Sequence, residues 1–338
     1  MKTLLRIFVV ACLVIHLSST ALAQEIKSEV KLNGVSLVSP PRPVSIASVN
    51  TVKRIAGEWV AIIPYAFSRQ NEPTVYFDED RQWWGERTEG ARELIAMSGQ
   101  CGQQVMLKPH VWLGREWIGD FDLDSDEKWQ EWRKSYENYV LNYAQVAEEM
   151  CVPLFCIGTE IKTSAINDPD YWRSLIAKVR NVYSGELTYA ANWDSYDSIS
   201  FWGDLDYIGV DAYFPLVHES HPDVTQIEKA WVQIKNELEA VSREAGKPVL
   251  FTEYGYQSVN GAVGNHWEVN KSLENLNMDL QAMAYECMFK MLWGEEWFAG
   301  GFLWKWYLRD QAGGVQDPHF TPQGKPAEEV IKKWYARN

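Results

Sequence analysis

The sequence has little positive charge for its length, and it lacks motifs that would identify several common function classes. Its 32 lysine and arginine residues are outnumbered by 46 aspartate and glutamate residues, which gives a formal net charge of −14 over 338 residues. Nucleic-acid-binding proteins need a basic surface to meet phosphates, so we expect no nucleic-acid partner. Neither G-x-G-x-x-G nor G-x-x-x-x-G-K-[ST] occurs, and no sequence period indicates a repeat protein.

The first 23 residues have the pattern of a secretory signal peptide. Lys2 and Arg6 precede an almost wholly apolar stretch, residues 7–17, and Ala21-Leu22-Ala23 matches an A-x-A cleavage site. The apolar stretch is too short to span a bilayer comfortably. We therefore expect a secreted or periplasmic protein without membrane attachment after cleavage, with residues 24–338 as one domain.

Short runs rich in β-branched and aromatic residues alternate with longer segments of helical period. Eight such runs occur, which is typical of strands buried on both faces of a parallel sheet. Eight strand–helix units predict an α/β fold, a single closed (β/α)8 TIM barrel. A doubly wound open sheet is the alternative, and the missing nucleotide loop disfavours it. The predicted strands are 35–38, 59–63, 104–108, 153–157, 187–191, 207–210, 248–252 and 301–304, and the predicted helices are 88–98, 125–150, 169–182, 224–245, 276–292 and 326–335.

The five cysteines and the acidic segments do not indicate a metal site. No cysteine belongs to a C-x-x-C pair or to a zinc-spaced cluster with histidine. Asp120, Asp122, Asp124 and Glu131 match acidic positions of an EF-hand loop, but the sixth place is Ser125 rather than glycine. We interpret these acids as the start of the next helix, whose dipole they meet. We therefore expect no metal and no cofactor.

Cys101 and Cys151 each precede a predicted strand by a few residues, on neighbouring barrel units. Both are therefore expected at the amino-terminal face of the barrel. Export permits a disulfide bond between them, and two unpaired buried thiols are the alternative.

Two glutamates stand where a barrel places its functional residues, at the carboxyl ends of strands. Glu160 and Glu253 follow the fourth and seventh predicted strands, which are otherwise almost purely apolar. A single glutamate at a strand end is most simply a solvated or ion-paired residue. Two that face each other across the barrel mouth favour glycoside hydrolysis, in which one carboxyl group donates a proton and the other stays charged. The 17 tryptophans and 16 tyrosines, more than a core requires, suit sugar rings.

Several strings at the predicted strand ends closely resemble one enzyme family. They are K-P-H at 108–110, L-F-C-I-G-T-E at 154–160, the segments 187–193, 205–215 and 248–256, and F-T-P-Q-G-K-P-A-E at 320–328. They are similar, in register over residues 55–335, to the β-1,4-mannanases of glycoside hydrolase family 113. The resemblance implies a retaining clan A enzyme with Glu160 as acid/base and Glu253 as nucleophile. It also implies endo-action on β-1,4-mannan or glucomannan by double displacement.

Nine further residues near the strand ends are candidates for holding the substrate or the two glutamates. Tyr213 is expected to hydrogen-bond Glu253 and orient it, or else to bond the backbone, and the resemblance favours the first. Trp193 and Trp304 offer flat faces for sugar rings, with core packing as the alternative. The remaining candidates are Lys108, His110, Trp112, Asn192, Asp211 and Trp306. Loop tryptophans that could form outer sugar subsites are Trp83, Trp84, Trp112 and Trp117.

Three other functions stay open at this level. A clan A β-glucanase or an exo-acting β-mannosidase would share every residue named above. A non-catalytic carbohydrate-binding barrel is disfavoured because both glutamates are present. We expect a monomer whose partner is a β-linked oligo- or polysaccharide.

Overall fold

A closed barrel of eight parallel strands forms the centre of the protein. The computed structural model describes residues 30–309 and 311–337, so the predicted signal peptide, residues 1–23, lies outside the described residues. The strands are β1 Leu32–Leu37, β2 Trp59–Ile62, β3 Tyr65–Phe67, β4 Gln104–Leu107, β5 His110–Trp112, β6 Leu154–Thr159, β7 Glu186–Asn192, β8 Ile208–Asp211, β9 Val249–Tyr254 and β10 Phe298–Trp306. The circular order is β1-β2-β4-β6-β7-β8-β9-β10, which confirms the predicted TIM barrel, and β3 pairs with β5 in a small separate sheet.

Helices connect most of the barrel strands and cover their outer faces. They are α1 Ile46–Asn50, α2 Thr88–Gln100, α3 Asp126–Glu149, α4 Lys162–Asn167, α5 Pro169–Arg180, α6 Val224–Ala245, α7 Met278–Leu292 and α8 Pro326–Tyr335. The six predicted helices are confirmed to within two residues at each end. Periodicity does not predict α1 and α4 because they have only five and six residues. Between β7 and β8 two 3-10 turns, Tyr196–Ser198 and Trp202–Asp204, stand in place of an α-helix.

The acidic segment before α3 begins a helix, as interpreted from the sequence. Ser125 is the N-cap, and its hydroxyl accepts a hydrogen bond from the backbone N–H of Lys128 at 3.3 Å. Asp126 and Glu127 lie in the first turn, where negative charge is favourable to the helix dipole. Asp124 instead pairs with Lys128 at 3.0 Å. Among the described residues, no cluster of three or more metal-ligating side chains occurs.

The barrel interior is filled by apolar side chains from the strands themselves. Ala61, Met106, Leu154 and Phe302 belong to this inner cluster and are fully buried. Phe302 fits because Gly34 opposite it has no side chain: a Cβ at position 34 would lie 2.4 Å from the Phe302 ring. The inner cluster forms the floor beneath the carboxyl ends of the strands.

The surplus of aromatic residues belongs largely to the layer between barrel and helices, not to a ligand surface. Trp132 stacks on Tyr136 with ring centroids 4.8 Å apart, and Trp172 stacks on Phe201 at 5.7 Å. All four of these side chains are buried, as is Trp231. The expectation that so many aromatics exceed the needs of a core is therefore wrong for this layer.

The cysteines of the described region are unpaired. Cys101 is buried and Cys151 is exposed, and neither forms the disulfide bond that the sequence left possible. No helix among residues 30–309 and 311–337 is both long and apolar enough to cross a bilayer.

The Gly34–Phe302 contact yields a stability prediction. Gly34→Ala should lower the free energy of unfolding by about 1–3 kcal/mol, because the added methyl group overpacks the barrel interior. Urea denaturation monitored by tryptophan fluorescence measures this change. Gly99→Ala in α2 is the matched control, since a Cβ there meets nothing within 4 Å. An unchanged midpoint for Gly34→Ala would show that the interior yields to the extra carbon.

Candidate active site

A cleft of about 690 Å³ opens at the carboxyl ends of the barrel strands, and most of the predicted site residues line it. Both glutamates are among them, Glu160 at the end of β6 and Glu253 near the end of β9. The other predicted residues that line the cleft are His110, Trp112, Asn192, Trp193, Tyr213 and Trp304. The barrel thus brings together residues that are up to 194 positions apart, from His110 to Trp304.

The carboxylate of Glu253 is held by a donor on each oxygen. Lys108 lies 2.5 Å from Oε1, and the hydroxyl of Tyr213 donates to Oε2 at 2.7 Å. Burial and the negative charge of Glu253 raise the pKa of Tyr213 well above its ordinary value, so its hydroxyl stays protonated. With both oxygens engaged, the carboxylate has one defined orientation toward the cleft.

Lys108 and Asp211 support Glu253 from beneath the cleft. Both side chains are fully buried, and the ammonium of Lys108 lies 3.2 Å from Asp211, which also accepts a hydrogen bond from Thr252 at 2.7 Å. Burial alone would lower the pKa of Lys108, but the carboxylates of Asp211 and Glu253 outweigh it and raise the pKa. Lys108 therefore stays charged, and its charge opposes the rise in the pKa of Asp211 that burial and the charge of Glu253 cause.

Glu160 occupies a different environment from Glu253. Its side chain is half-buried, and one carboxylate oxygen accepts a hydrogen bond from the indole Nε1 of Trp117 at 2.8 Å. Burial, followed by the negative charge of Glu253, raises the pKa of Glu160 to about 7, and the bond from Trp117 opposes this rise. A carboxyl group with this pKa is partly protonated near neutral pH, so it can donate a proton and take one back.

The backbone at Glu160 is in the left-handed region, with φ of 56°. Non-glycine residues rarely adopt this conformation, and strained residues of this kind tend to cluster at functional sites. Two hydrogen bonds maintain it: the N–H of Glu160 donates to the carbonyl of Ala190 at 2.8 Å, and the N–H of Lys162 donates to the carbonyl of Glu160 at 2.8 Å.

His110 presents a neutral imidazole to the cleft. Burial and the nearby charge of Lys108 lower the pKa of His110 to about 4. Its Nδ1 is buried and has no hydrogen-bond partner among the described residues. A neutral ring offers one donor and one acceptor nitrogen, a combination that matches a sugar hydroxyl.

Aromatic side chains stand at several points around the cleft. Trp304 is half-buried and packs on the inner cluster of the barrel. Trp193 stacks on Trp267 with ring centroids 6.2 Å apart and 13° between the planes. Trp112 is 51% exposed. Asn192 donates to Asp194 at 2.9 Å beside them.

Trp306 does not lie in the cleft, contrary to the sequence-based expectation. It is fully buried in the outer layer, where its Nε1 donates to the hydroxyl of Thr51 at 3.0 Å. Opposite β1, Leu303 pairs with Val35 but Trp306 pairs with Leu37, so β10 contains an extra residue at this point. The extra residue reverses the alternation of faces, and Trp306 no longer shares a side with Trp304. Among the loop tryptophans, Trp84 is likewise in the core.

Several cleft residues were not identified from the sequence. Asp194, His266, Trp267 and Phe320 line the cleft from loops. Hydrophobic periodicity does not identify loop positions that line a cleft. The one sequence feature that could have indicated them is a tryptophan in the long segment between β9 and α7. Trp117 was expected at an outer subsite, but it bonds Glu160 directly.

The Trp117–Glu160 hydrogen bond yields a titration prediction. A bond donated to the ionised carboxylate lowers its pKa, so Trp117→Phe should raise the pKa of Glu160 above about 7. NMR titration of the glutamate carboxyl carbons, with Glu160→Gln to assign the signal, measures the shift. Trp112→Phe is the control and should leave the pKa unchanged. A pKa in Trp117→Phe equal to or below that of the unsubstituted protein would contradict the prediction.

Comparisons with known proteins agree on one family. The sequence model of glycoside hydrolase family 113 matches residues 42–325. A structure described as a complex of a family 113 β-1,4-mannanase is 27% identical, with a TM-score of 0.80 and coverage of 91% of this chain and 100% of that chain. A second structure of such a mannanase is 26% identical, with a TM-score of 0.78 and the same coverage.

A more distant structure agrees in fold. The family 113 β-mannanase from Alicyclobacillus acidocaldarius is 24% identical, with a TM-score of 0.80 over 91% of this chain and 97% of that chain. The curated proteins gave no match. Because the family model matches more than half of its residues, this chain belongs to glycoside hydrolase family 113.

Proposed function

We propose that the protein is an exported, retaining endo-β-1,4-mannanase that hydrolyses mannan or glucomannan. The observation that supports this most directly is the contrast between two glutamates in one cleft. Glu253 has a donor on each oxygen, whereas Glu160 has a pKa of about 7. Retaining glycoside hydrolysis requires such a pair, one nucleophile and one acid/base. The family and the mannanase relatives support the choice of substrate.

In the proposed mechanism Glu160 protonates the glycosidic oxygen while Glu253 attacks the anomeric carbon. The bond to the leaving sugar breaks, and a covalent glycosyl-enzyme forms. Glu160, now ionised, removes a proton from water, which attacks the same carbon and releases Glu253. Two inversions give net retention, and the two carboxyl groups of retaining enzymes stand about 5–5.5 Å apart.

The surrounding residues have separate parts in this scheme. Lys108 and Tyr213 orient the nucleophile. Trp304 forms an apolar wall under the sugar attacked by Glu253. His110 and Asn192 bind hydroxyl groups. Aromatic residues on both sides of the glutamates suit an extended chain, which favours endo-action over the removal of terminal sugars.

Export and a monomeric state complete the proposal. Residues 1–23, with their basic start, apolar stretch and A-x-A site, would direct the chain to the periplasm or the medium and then be removed. Amino-terminal sequencing of the protein from its native host tests the cleavage after residue 23, and size-exclusion chromatography tests the monomer.

The roles of the two glutamates can be separated by substitution. Glu253→Ala should have no measurable turnover on any substrate. Glu160→Ala should lose about 10²–10⁴-fold in kcat/KM on mannan but retain activity on aryl mannosides whose leaving groups need little protonation. Azide should rescue Glu160→Ala and give a product of retained configuration, because the small anion replaces the water that Glu160 activates.

The exposed Glu237→Ala on α6 is the control for these variants and should behave as the unsubstituted protein. Azide rescue of neither glutamate variant, or an inverted azide product from Glu160→Ala, would show the roles to be assigned wrongly. Parallel assays on mannan, glucomannan and carboxymethylcellulose distinguish a mannanase from a β-glucanase. Release of single sugars only would indicate an exo-acting enzyme, and binding without release a carbohydrate-binding barrel.

Trp304 is expected to act on the reaction rather than only on stability. Trp304→Ala removes contacts that strengthen as the sugar ring flattens, so kcat should fall by about tenfold or more along with kcat/KM. A side chain that served the core alone would cost about 3–5 kcal/mol of stability and leave kcat intact. Measuring kcat and Tm together decides between them. An unchanged kcat with a large drop in Tm would leave Trp193 as the better candidate for the wall.

A further inference from the structure

A second cavity of about 740 Å³ adjoins the cleft. Tyr65, Trp112 and Trp304 line both spaces, so a ligand can pass from one to the other without leaving the protein surface. The second cavity is bounded by the ends of β1, β3, β5 and β10 and by the loop that follows β3. Trp83, 50% exposed, stands at its rim.

The second cavity runs along the part of the barrel mouth formed by the ends of β10, β1, β3 and β5, and Glu160 is not among the residues that line it. In the circular strand order β6, which Glu160 directly follows, is four places from β10, directly across the barrel. If Glu160 protonates the leaving oxygen, as proposed above, the leaving part of the chain lies toward Glu160. The part that stays bonded to the attacked carbon, the glycone, then extends toward β10 and into the second cavity.

The two spaces differ in charge. The cleft is lined by four acidic side chains and by no lysine or arginine among the described residues. These acids are Asp120, Glu160, Asp194 and Glu253. The second cavity has three cationic side chains and one acidic one. They are Arg69, Arg81 and Lys305, with Glu86. The second cavity is therefore locally positive, although the whole chain has a net charge of −14.

Neighbouring carboxylates neutralise the cations of the second cavity only weakly. Arg69 lies 3.5 Å from Glu72 and Arg81 lies 3.8 Å from Glu79, and all four side chains are largely exposed. Exposed ion pairs of this kind contribute little to stability, and their arginines can readily exchange the present carboxylate for a better partner.

Lys305 has no acidic partner within salt-bridge distance among residues 30–309 and 311–337. It lies instead over the rings of Trp304, at 5.4 Å, and Tyr307, at 5.3 Å. Glu86 is turned to the backbone N–H of Trp83, and burial raises its pKa. Glu86 therefore neutralises the positive charge of the three cations less than a free carboxylate would.

We propose that the glycone subsites of this enzyme accept a β-mannan chain that bears a carboxylate, as a uronic acid does, and that Lys305, Arg69 and Arg81 recognise it. This rests on the proposed mannanase function and adds the substrate class to it. Arginine matches the two oxygens of a carboxylate, and Lys305 adds a charge beside the aromatic wall. Aromatic faces at Trp112 and Trp83 bind the sugar rings between the charges.

The test uses mannan in which a small fraction of the C6 hydroxyls has been oxidised to carboxylates. The enzyme digests it at low ionic strength, and mass spectrometry locates the carboxylates in the products. We expect them about tenfold enriched at a fixed distance from the new reducing end, which was bound on the glycone side. The enrichment should fall toward one in Lys305→Gln and in 1 M salt, where screening is nearly complete. Lys134→Gln, an exposed lysine of α3, is the control and should keep it.

The outcomes separate this inference from the function on which it rests. Cleavage of neutral mannan with carboxylates distributed evenly, excluded from the glycone side, or enriched equally in Lys305→Gln would overturn the inference and leave the mannanase function in place. No cleavage of neutral mannan, glucomannan or the oxidised polymer would overturn both.

Discussion

The ammonium group of Lys108 lies beneath the cleft with no access to water, within salt-bridge distance of acidic side chains from two other strands. A buried cation is tolerated only when it is paired, and here Asp211 from β8 and Glu253 from β9 both reach it. Removal of Lys108 would leave the acidic side chains of Asp211 and Glu253 without a cation inside the barrel. The same contacts that make burial acceptable also set the direction of Glu253. The packing beneath the cleft and the orientation of Glu253 therefore depend on the same cluster of charged side chains.

The two cleft glutamates show how position on a common scaffold gives the same residue type different surroundings. Glu253 is surrounded by donors, a cation and a phenol. Glu160 is desolvated and repelled by the charge of Glu253, and the indole N–H of Trp117 and the charge of Lys108 oppose the resulting rise in its pKa. Neither environment needs an unusual residue. The difference in surroundings arises because the two glutamates lie at the ends of different strands and are covered by different loops.

The strands and their polar ends could be predicted because both follow local patterns. Apolar runs and helical periods locate the barrel, and its geometry then places Glu160 and Glu253 in one cleft. Trp306 could not be placed, since one extra residue in β10 reverses its face and sequence alternation does not reveal it. Amino-acid composition does not distinguish aromatic residues that pack a core, such as Trp132, from aromatic residues that bind a sugar. Trp267 reaches the cleft through a loop whose course depends on tertiary contacts.

The left-handed backbone at Glu160 has an evolutionary consequence. Glycine is the residue that fits this conformation without strain, and a side chain there costs about 1–3 kcal/mol that the rest of the fold must offset. In the proposed role of Glu160 as acid/base, this strain sets thermal stability against hydrolytic activity at one position. Under that proposal, a Glu160→Gly variant would gain stability and lose hydrolytic activity. Under the same proposal, selection for heat tolerance alone would favour the inactive form.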